Sequence, residues 1–107
     1  MATWFRTYYE DEDLWLYFEA DDQGGAARQV EVRGQDARPV TAASLEEVLH
    51  LRDHADLAAM SRYERQYGVL AEGLLDSWQD QPQAVEISAE EFERLWVEAR
   101  RALGGSA

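Results

Sequence analysis

At Ser44 the spacing of apolar residues changes. Before it the side chains follow the two-residue alternation between faces of strands; after it the apolar residues recur every three or four positions, which is the switch from strand to helix periodicity. A chain with strands first and helices after is expected to be an α+β domain: an N-terminal antiparallel sheet packed against C-terminal helices. With 107 residues there is room for one ordinary core. The expected organisation is therefore a single domain over 1–107, mainly β in 1–43 and mainly α in 44–107.

The β half reads as a meander of three to four strands. Thr3 to Tyr9 is rich in aromatics and threonine, and Leu14 to Ala20 alternates Leu14, Leu16 and Phe18 with Trp15, Tyr17 and Glu19. Acidic Glu10 to Asp13 makes the turn between them. Asp21-Asp22-Gln23-Gly24-Gly25 is a second turn, followed by a strand over Arg28 to Arg33, and a fourth short strand fits Arg38 to Ala42, with Pro39 at an edge or a strand start. Trp4 and Tyr8 oppose Phe5 and Tyr9 across the first strand, so large aromatics fall on both faces of the sheet. A half-exposed sheet alternates apolar with polar instead. Either both faces are covered, or the second is a binding platform.

In the α half, Ser44-Leu45-Glu46-Glu47 has the serine and third-residue glutamate of a capping box. One helix is expected to about Asp53 and another over Ala55 to Tyr67, continuous or broken, with Leu57, Met60, Tyr63 and Tyr67 on one side and Gly68 as a C-cap. Val69 to Ala84, with Gly73 and Pro82 around Leu74, Leu75 and Trp78, reads as an irregular connection pinned by apolar anchors. Ser88 and Glu91 form a second capping box, and Ile87 with Phe92 a hydrophobic staple. The helix they start has an apolar stripe of Phe92, Leu95, Trp96, Ala99 and Leu103, with Arg100 and Arg101 near its negative end, and Gly104-Gly105 stop it.

Charge restricts the partners. The chain has 22 acidic and 10 basic side chains, a net charge of −12. Binding a polyanion relies on Lys and Arg displacing counterions, so direct nucleic-acid binding is not expected. Seven acids fall in residues 10–22 and seven more in 66–93, with no base in either block. Adjacent in space, the two blocks would form one negative face able to steer a basic partner; apart, they are solvated loops that keep the chain soluble. There is no cysteine, hence neither disulfide nor thiolate-bound metal, and no apolar run long enough to span a membrane, so a cytoplasmic setting is expected. The first residues, Met1 to Arg6, lack the layout of a signal peptide.

No catalytic, cofactor or metal set is expected. Serines sit at caps (Ser44, Ser88), on a helix (Ser61), beside a tryptophan (Ser77) or in the tail (Ser106), and none has a glycine-elbow context. His50 and His54 have helical i, i+4 spacing, but Leu51 stands where a zincin has its glutamate, and no third ligand is specified. They read as an exposed pair. Glu46/Glu47 and Glu90/Glu91 are explained by helix starts.

Three segments carry a resemblance. Leu16-Tyr17-Phe18-Glu19-Ala20-Asp21, Arg28-Gln29-Val30-Glu31-Val32, and Glu86 through Trp96 (Glu-Ile-Ser-Ala-Glu-Glu-Phe-Glu-Arg-Leu-Trp) resemble a family of small uncharacterised bacterial domains. In that family a Ser-Glu-Leu-Asp-like strand precedes an Arg-x-Val-Glu strand, and an Ile-Ser-x-Glu-Glu-Phe-Glu-x-x-Trp helix closes the domain. Phe18 and Ala20 stand where the family has serine and leucine. The resemblance implies a stand-alone, non-enzymatic domain without an assigned activity, analogous to the small acidic immunity proteins that neutralise toxins. Glu19, Arg28 and Glu31 match its charged strand positions and Trp96 its helix tryptophan. On the residues themselves, Glu19 with Arg28 reads as a cross-strand ion pair and Trp96 as core.

The leading expectation is a non-enzymatic interaction module, inhibitor- or immunity-like, that offers a basic protein an acidic face with aromatic anchors. Its candidate surface comprises Trp4, Tyr8, Glu10, Asp11, Glu12, Asp13, Trp15, Tyr17, Glu19, Arg28, Glu31 and Trp78. One alternative is a nucleic-acid mimic that blocks a DNA- or RNA-binding protein, which requires carboxylates at phosphate-like spacing. Another is a small-molecule or metal-binding enzyme, which requires a concave pocket with converging polar groups. Nothing in the sequence sets an oligomeric state.

Overall fold

The computed structural model describes residues 1–104; Gly105 and Ser106 lie outside the described residues. The elements are β1 (Thr3–Tyr9), β2 (Leu14–Ala20), β3 (Ala26–Arg33), β4 (Pro39–Ser44), α1 (Leu45–His54), α2 (Leu57–Tyr67), β5 (Val85–Glu86) and α3 (Ala89–Gly104), with 3-10 turns at Glu10–Glu12 and Trp78–Asp80. The fold is α+β. β1 to β4 form the expected meander, and the sheet order is β4-β3-β2-β1-β5, antiparallel throughout. Residues 44–107 are mainly helical as expected, while the fifth strand corrects the expected strand number. It is two residues long and pairs with β1 through Arg6 and Phe5, far away in sequence.

Successive residues of a strand point to opposite faces. The register sets Trp4 beside Glu19, Tyr17 beside Val30, and Val30 beside Ala42 on one face, and Phe5 beside Phe18, Phe18 beside Gln29, and Gln29 beside Ala43 on the other. Both faces are covered. α3 lies on the first, where Phe92 and Ala99 join Val30, Val32, Ala42 and Ile87 in a buried cluster, and Trp4, Tyr17, Leu95, Trp96 and Leu103 pack around it. The expected stripe of α3 is thus its core face. Ser88 Oγ accepts from the Glu91 N–H (3.1 Å), as a capping box requires.

The second face is covered by the connection after α2. Trp78 stacks on Phe5, with ring centroids 4.4 Å apart and planes 9° apart, and Leu70, Ala71 and Leu75 pack against Phe5, Phe18, Ala20 and Ala26. A polar clamp fixes that connection. Gln29, 3% exposed, donates from Nε2 to the Val69 carbonyl (3.0 Å) and accepts from the Ala71 N–H at Oε1 (2.8 Å), so a buried amide serves as a substitute strand partner. The Leu75 N–H donates to the Gly24 carbonyl (2.7 Å), and the Tyr8 N–H to the Pro82 carbonyl (3.0 Å).

α1 and α2 are two helices, because Ala55 and Asp56 are both extended and Asp56 caps α2 by accepting from the Ala59 N–H (2.9 Å). They stand beside β4, the sheet's edge strand. Tyr63 Oη accepts from the Ser44 N–H (2.9 Å), and Arg100 Nε donates to the Ala42 carbonyl (2.8 Å). These side chains occupy edge groups that would otherwise invite another strand.

Candidate functional site

The candidate surface is split by the fold. Trp4, Tyr8, Trp15, Tyr17, Glu19 and Arg28 are on the α3 face, whereas Glu31 and Trp78 belong to the opposite face. Trp4 and Tyr17 are packed against the α3 core, and Trp78 is held on Phe5. Glu31 is half-buried, and burial raises its carboxyl pKa, with Glu12 adding to the rise while a hydrogen bond from Thr41 opposes it. Of the aromatic residues named in advance, Tyr8 and Trp15 form a half-buried corner, their rings 4.8 Å apart. The Arg6 guanidinium lies 4.8 Å over the Trp15 ring, and Arg6 Nε is buried without a hydrogen-bond partner. Asp13, in the left-handed region at φ 52°, accepts from the Tyr8 hydroxyl, and this bond is the main reason the phenol's pKa is raised.

Glu19 and Arg28 are cross-strand partners. Arg28 Nε lies 2.7 Å from Glu19 Oε1, and its Nη2 lies 2.6 Å from Oε1 of Glu93 on α3. Trp4 Nε1 donates to the same Glu19 carboxylate (3.0 Å). Arg28 also sits 5.1 Å over both the Phe92 and the Trp96 rings, so it ties the sheet to α3. The Glu93 carboxyl is held below the usual carboxylate range chiefly by its bond from Arg28.

The acidic blocks are distributed by the hairpins. Glu10, Asp11 and Glu12 are exposed at the β1–β2 turn, and Asp21 and Asp22 are at the β2–β3 turn, a strand length of about 20 Å away. The first block is therefore divided. Its second half lies at the end of the sheet where Glu72, Glu90 and Glu91 of the later block also fall. The bridge between Gly25 and Leu74 brings Glu72 to the β2–β3 turn, and the Ile87 N–H donates to the Trp4 carbonyl (2.9 Å), which starts α3 with Glu90 and Glu91 at the same end of the sheet.

A second constellation, absent from the expected surface, lies where α1, α2 and α3 meet. Arg100 donates from Nη1 to Glu47 Oε2 (3.0 Å), from Nη2 to Glu47 Oε1, and from Nη2 to Tyr63 Oη (3.1 Å), while Tyr63 donates to Glu47 Oε1 (2.6 Å). The guanidinium stacks 3.8 Å over Tyr67 and 4.5 Å over Trp96. Local sequence explains the arrangement. Glu47 is the third residue after the Ser44 cap, and its N–H donates to Ser44 Oγ (3.4 Å). In a full capping box its carboxylate would return to the Ser44 N–H; here Tyr63 takes that N–H, which frees the carboxylate for Arg100.

Around this network is an open pocket of about 450 Å³, lined by Glu46, Glu47, His50 and Leu51 of α1, Tyr63 and Tyr67 of α2, and Arg100 of α3. A second cleft, of about 370 Å³, lies across α1 against the connection and includes Leu45, Val48, Leu49 and Leu70. The titrations follow from the contacts. Burial alone would raise the Glu47 carboxyl pKa, but hydrogen bonds from Arg100 and Tyr63 lower it on balance; burial and the Glu47 carboxylate push the Tyr63 phenol up. His50 and His54 are exposed, with rings 4.7 Å apart, and among the described residues no group of three His, Asp or Glu side chains is placed to hold a metal ion.

A carboxyl pKa depressed by folding stabilises above the unfolded carboxylate range, and that stability is lost as pH falls through the folded value. The Glu47 side chain is 43% exposed, so solvent screens the pair. Glu47→Gln is expected to be less stable near pH 7 by about 1 kcal/mol, with the difference shrinking below about pH 4. Urea unfolding at neutral and acidic pH measures this, and a pH-independent difference would contradict the assignment.

No protein-family model, curated protein or solved structure matches the chain. Among the described residues no helix is long and apolar enough to cross a membrane.

Proposed function

We propose that the chain is a non-enzymatic interaction module that binds a basic protein against one acidic end of its sheet, in the manner of small acidic inhibitors. The observation that carries this reading is the gathering of Asp21, Asp22, Glu72, Glu90 and Glu91 at that end. The neighbouring Arg28 is already neutralised by Glu19 and Glu93, and the Met1 amine pairs with Asp22 alone, so the acids at that end keep a negative excess. The field there attracts cations, raises the association rate of a basic partner and weakens with salt. A cytoplasmic setting, and the bacterial family resemblance, belong to the same proposal.

The competing small-molecule reading has the α1–α2–α3 pocket in its favour. Against it, the contacts among Glu47, Tyr63 and Arg100 lower the Glu47 carboxyl pKa and raise the Tyr63 phenol, moving both away from the neutral range in which a general base works best.

Binding of an oligoarginine peptide, followed by fluorescence anisotropy at low and moderate salt, tests the proposal. The native chain is expected to bind at low salt and to weaken as salt rises. Neutralising the acidic end with Asp21→Asn, Asp22→Asn and Glu72→Gln together is expected to reduce affinity about ten-fold. Equal neutralisation at the far turn, Glu10→Gln with Asp11→Asn and Glu12→Gln, is expected to cost less. An equal loss in both triple variants, or no binding by the native chain, would sink the reading.

A further inference from the structure

α1 faces two ways. Leu45, Val48, Leu49 and Arg52 border the cleft against the connection, while Glu46, Glu47 and His50 line the pocket shared with α2 and α3. Charge in that pocket is not balanced. Arg100 is neutralised by both oxygens of Glu47. Glu46 is a second carboxylate, exposed and outside the ion pairs among the described residues. Two carboxylates against one guanidinium leave a negative excess.

The walls of the pocket already display the chemistry they favour. Arg100 places its guanidinium carbon 3.8 Å from the Tyr67 ring centroid and 5.9 Å from that of Tyr63, with Glu47 as its counter-ion. Tyrosine faces combined with a carboxylate attract cations, and a guanidinium most of all, because it is planar, weakly hydrated and able to stack while it donates hydrogen bonds. An anionic ligand would meet the excess carboxylate, and an apolar one would strip water from Glu46 without a partner.

Position supports the same choice. Glu46 follows Ser44, which pairs with Arg28 on β3, and Arg28 pairs in turn with Glu19 on β2. The start of α1 is therefore at the same end of the sheet as Asp21, Asp22, Glu90 and Glu91. We infer that the pocket lined by Glu46, His50 and Tyr67 takes an arginine side chain of the basic partner, which engages the Glu46 carboxylate and the half-buried Tyr67 ring, while Tyr63 is buried beneath as part of the wall. This inference rests on the basic-partner reading and assigns one contact within it. The volume of about 450 Å³ leaves room beside Arg100, which stays in place as part of the wall.

The test uses the full chain, with N-acetyl-arginine amide as a single-side-chain probe and an oligoarginine peptide as the extended one, followed by NMR shift changes. The single probe is expected to shift resonances of Glu46, His50 and Tyr67, and the peptide to bind at least ten-fold more tightly because it also reaches the acidic end. Glu46→Gln is expected to weaken the single probe about five-fold, the loss of one exposed ion pair, while Glu12→Gln, the same charge change elsewhere, alters it less than two-fold. Glu46 is exposed and makes no ion pair among the described residues, so its replacement costs at most its share of the α1 dipole, about 0.3–1 kcal/mol, and Glu46→Gln should still unfold in one cooperative transition. If the peptide binds but Glu46→Gln behaves as Glu12→Gln does, the pocket assignment is wrong and the basic-partner reading stands. If the single probe binds as tightly as the peptide, the pocket serves a free guanidinium compound and the partner assignment falls. If neither binds, both fall together.

Discussion

Phe92→Ala is expected to remove about 3–5 kcal/mol of stability, the usual cost of deleting a buried phenylalanine ring. Total stability for a domain of this size is about 5–15 kcal/mol, so the variant would be near or past its unfolding limit at physiological temperature. The ring is fully buried. It forms the staple with Ile87 at the start of α3, fills the space between Val30 and Ala99, and offers a face to the Arg28 guanidinium. Its loss would leave a cavity and loosen the ion pair that joins β2, β3 and α3. Urea unfolding followed by circular dichroism measures the effect. With a slope of about 1–2 kcal/mol per molar, the midpoint should fall by about 1.5–5 M. Val97→Ala, on the outer side of the same helix and 47% exposed, should stay within about 0.5 kcal/mol. A loss under about 1 kcal/mol for Phe92→Ala would mean that α3 does not pack on the sheet through this ring.

How much of this was legible in the sequence depended on whether the information was local. β1, β2 and the two serine-capped helix starts are written in short-range patterns, alternation between faces and capping spacing, and the structure keeps them at the expected residues. Val85–Glu86 carries no such pattern. Two residues have no period, and they become a strand only because Phe5 and Arg6 offer an open edge from the other end of the chain. Gln29 misleads for a related reason. In a strand where Val30 and Val32 alternate with Gln29 and Glu31, the glutamine reads as solvent-facing, yet its amide is buried because the connection after α2 returns to be clamped by it.

The sites show the same division. The Glu19–Arg28 pair was readable as a cross-strand contact, and its register confirms it. The Arg100 network was not. Arg100 reads as a cation suited to a helix C-terminus and Glu47 as a capping-box acid, and each residue has an adequate local explanation. What brings them together is α3 crossing to β4, a tertiary fact. The one available hint was the coincidence of an early α1 glutamate with tyrosines at four-residue spacing, Tyr63 and Tyr67, on the next helix. The charge blocks were legible as composition and not as a surface, since a hairpin sends the two halves of one run to opposite ends of its own strand.

Gly68→Ala is expected to cost about 2–5 kcal/mol, the sum of backbone strain and a steric clash. Gly68 ends α2 at φ 89° and ψ 178°, a region open essentially to glycine, and its N–H donates to the Glu64 carbonyl (2.9 Å). An added Cβ would overlap the Thr41 methyl group and lie 2.7 Å from Thr41 Cβ on β4. The position matters to both faces. One residue before it, Tyr67 stacks on Arg100; one residue after it, the Val69 carbonyl takes the Gln29 amide. Relief of the clash by moving the backbone would therefore disturb the pocket or the clamp. Strain and clash are separable. Gly73, at φ 88°, has open space where a Cβ would go, so Gly73→Ala should show only the strain, about 1–2 kcal/mol. Thr41→Ser removes the overlapped methyl, and in a double-mutant cycle it should return about 1 kcal/mol or more of the Gly68→Ala loss. Strictly additive effects of the two substitutions would show that Thr41 gives way freely and that Gly68 is required for its backbone conformation alone.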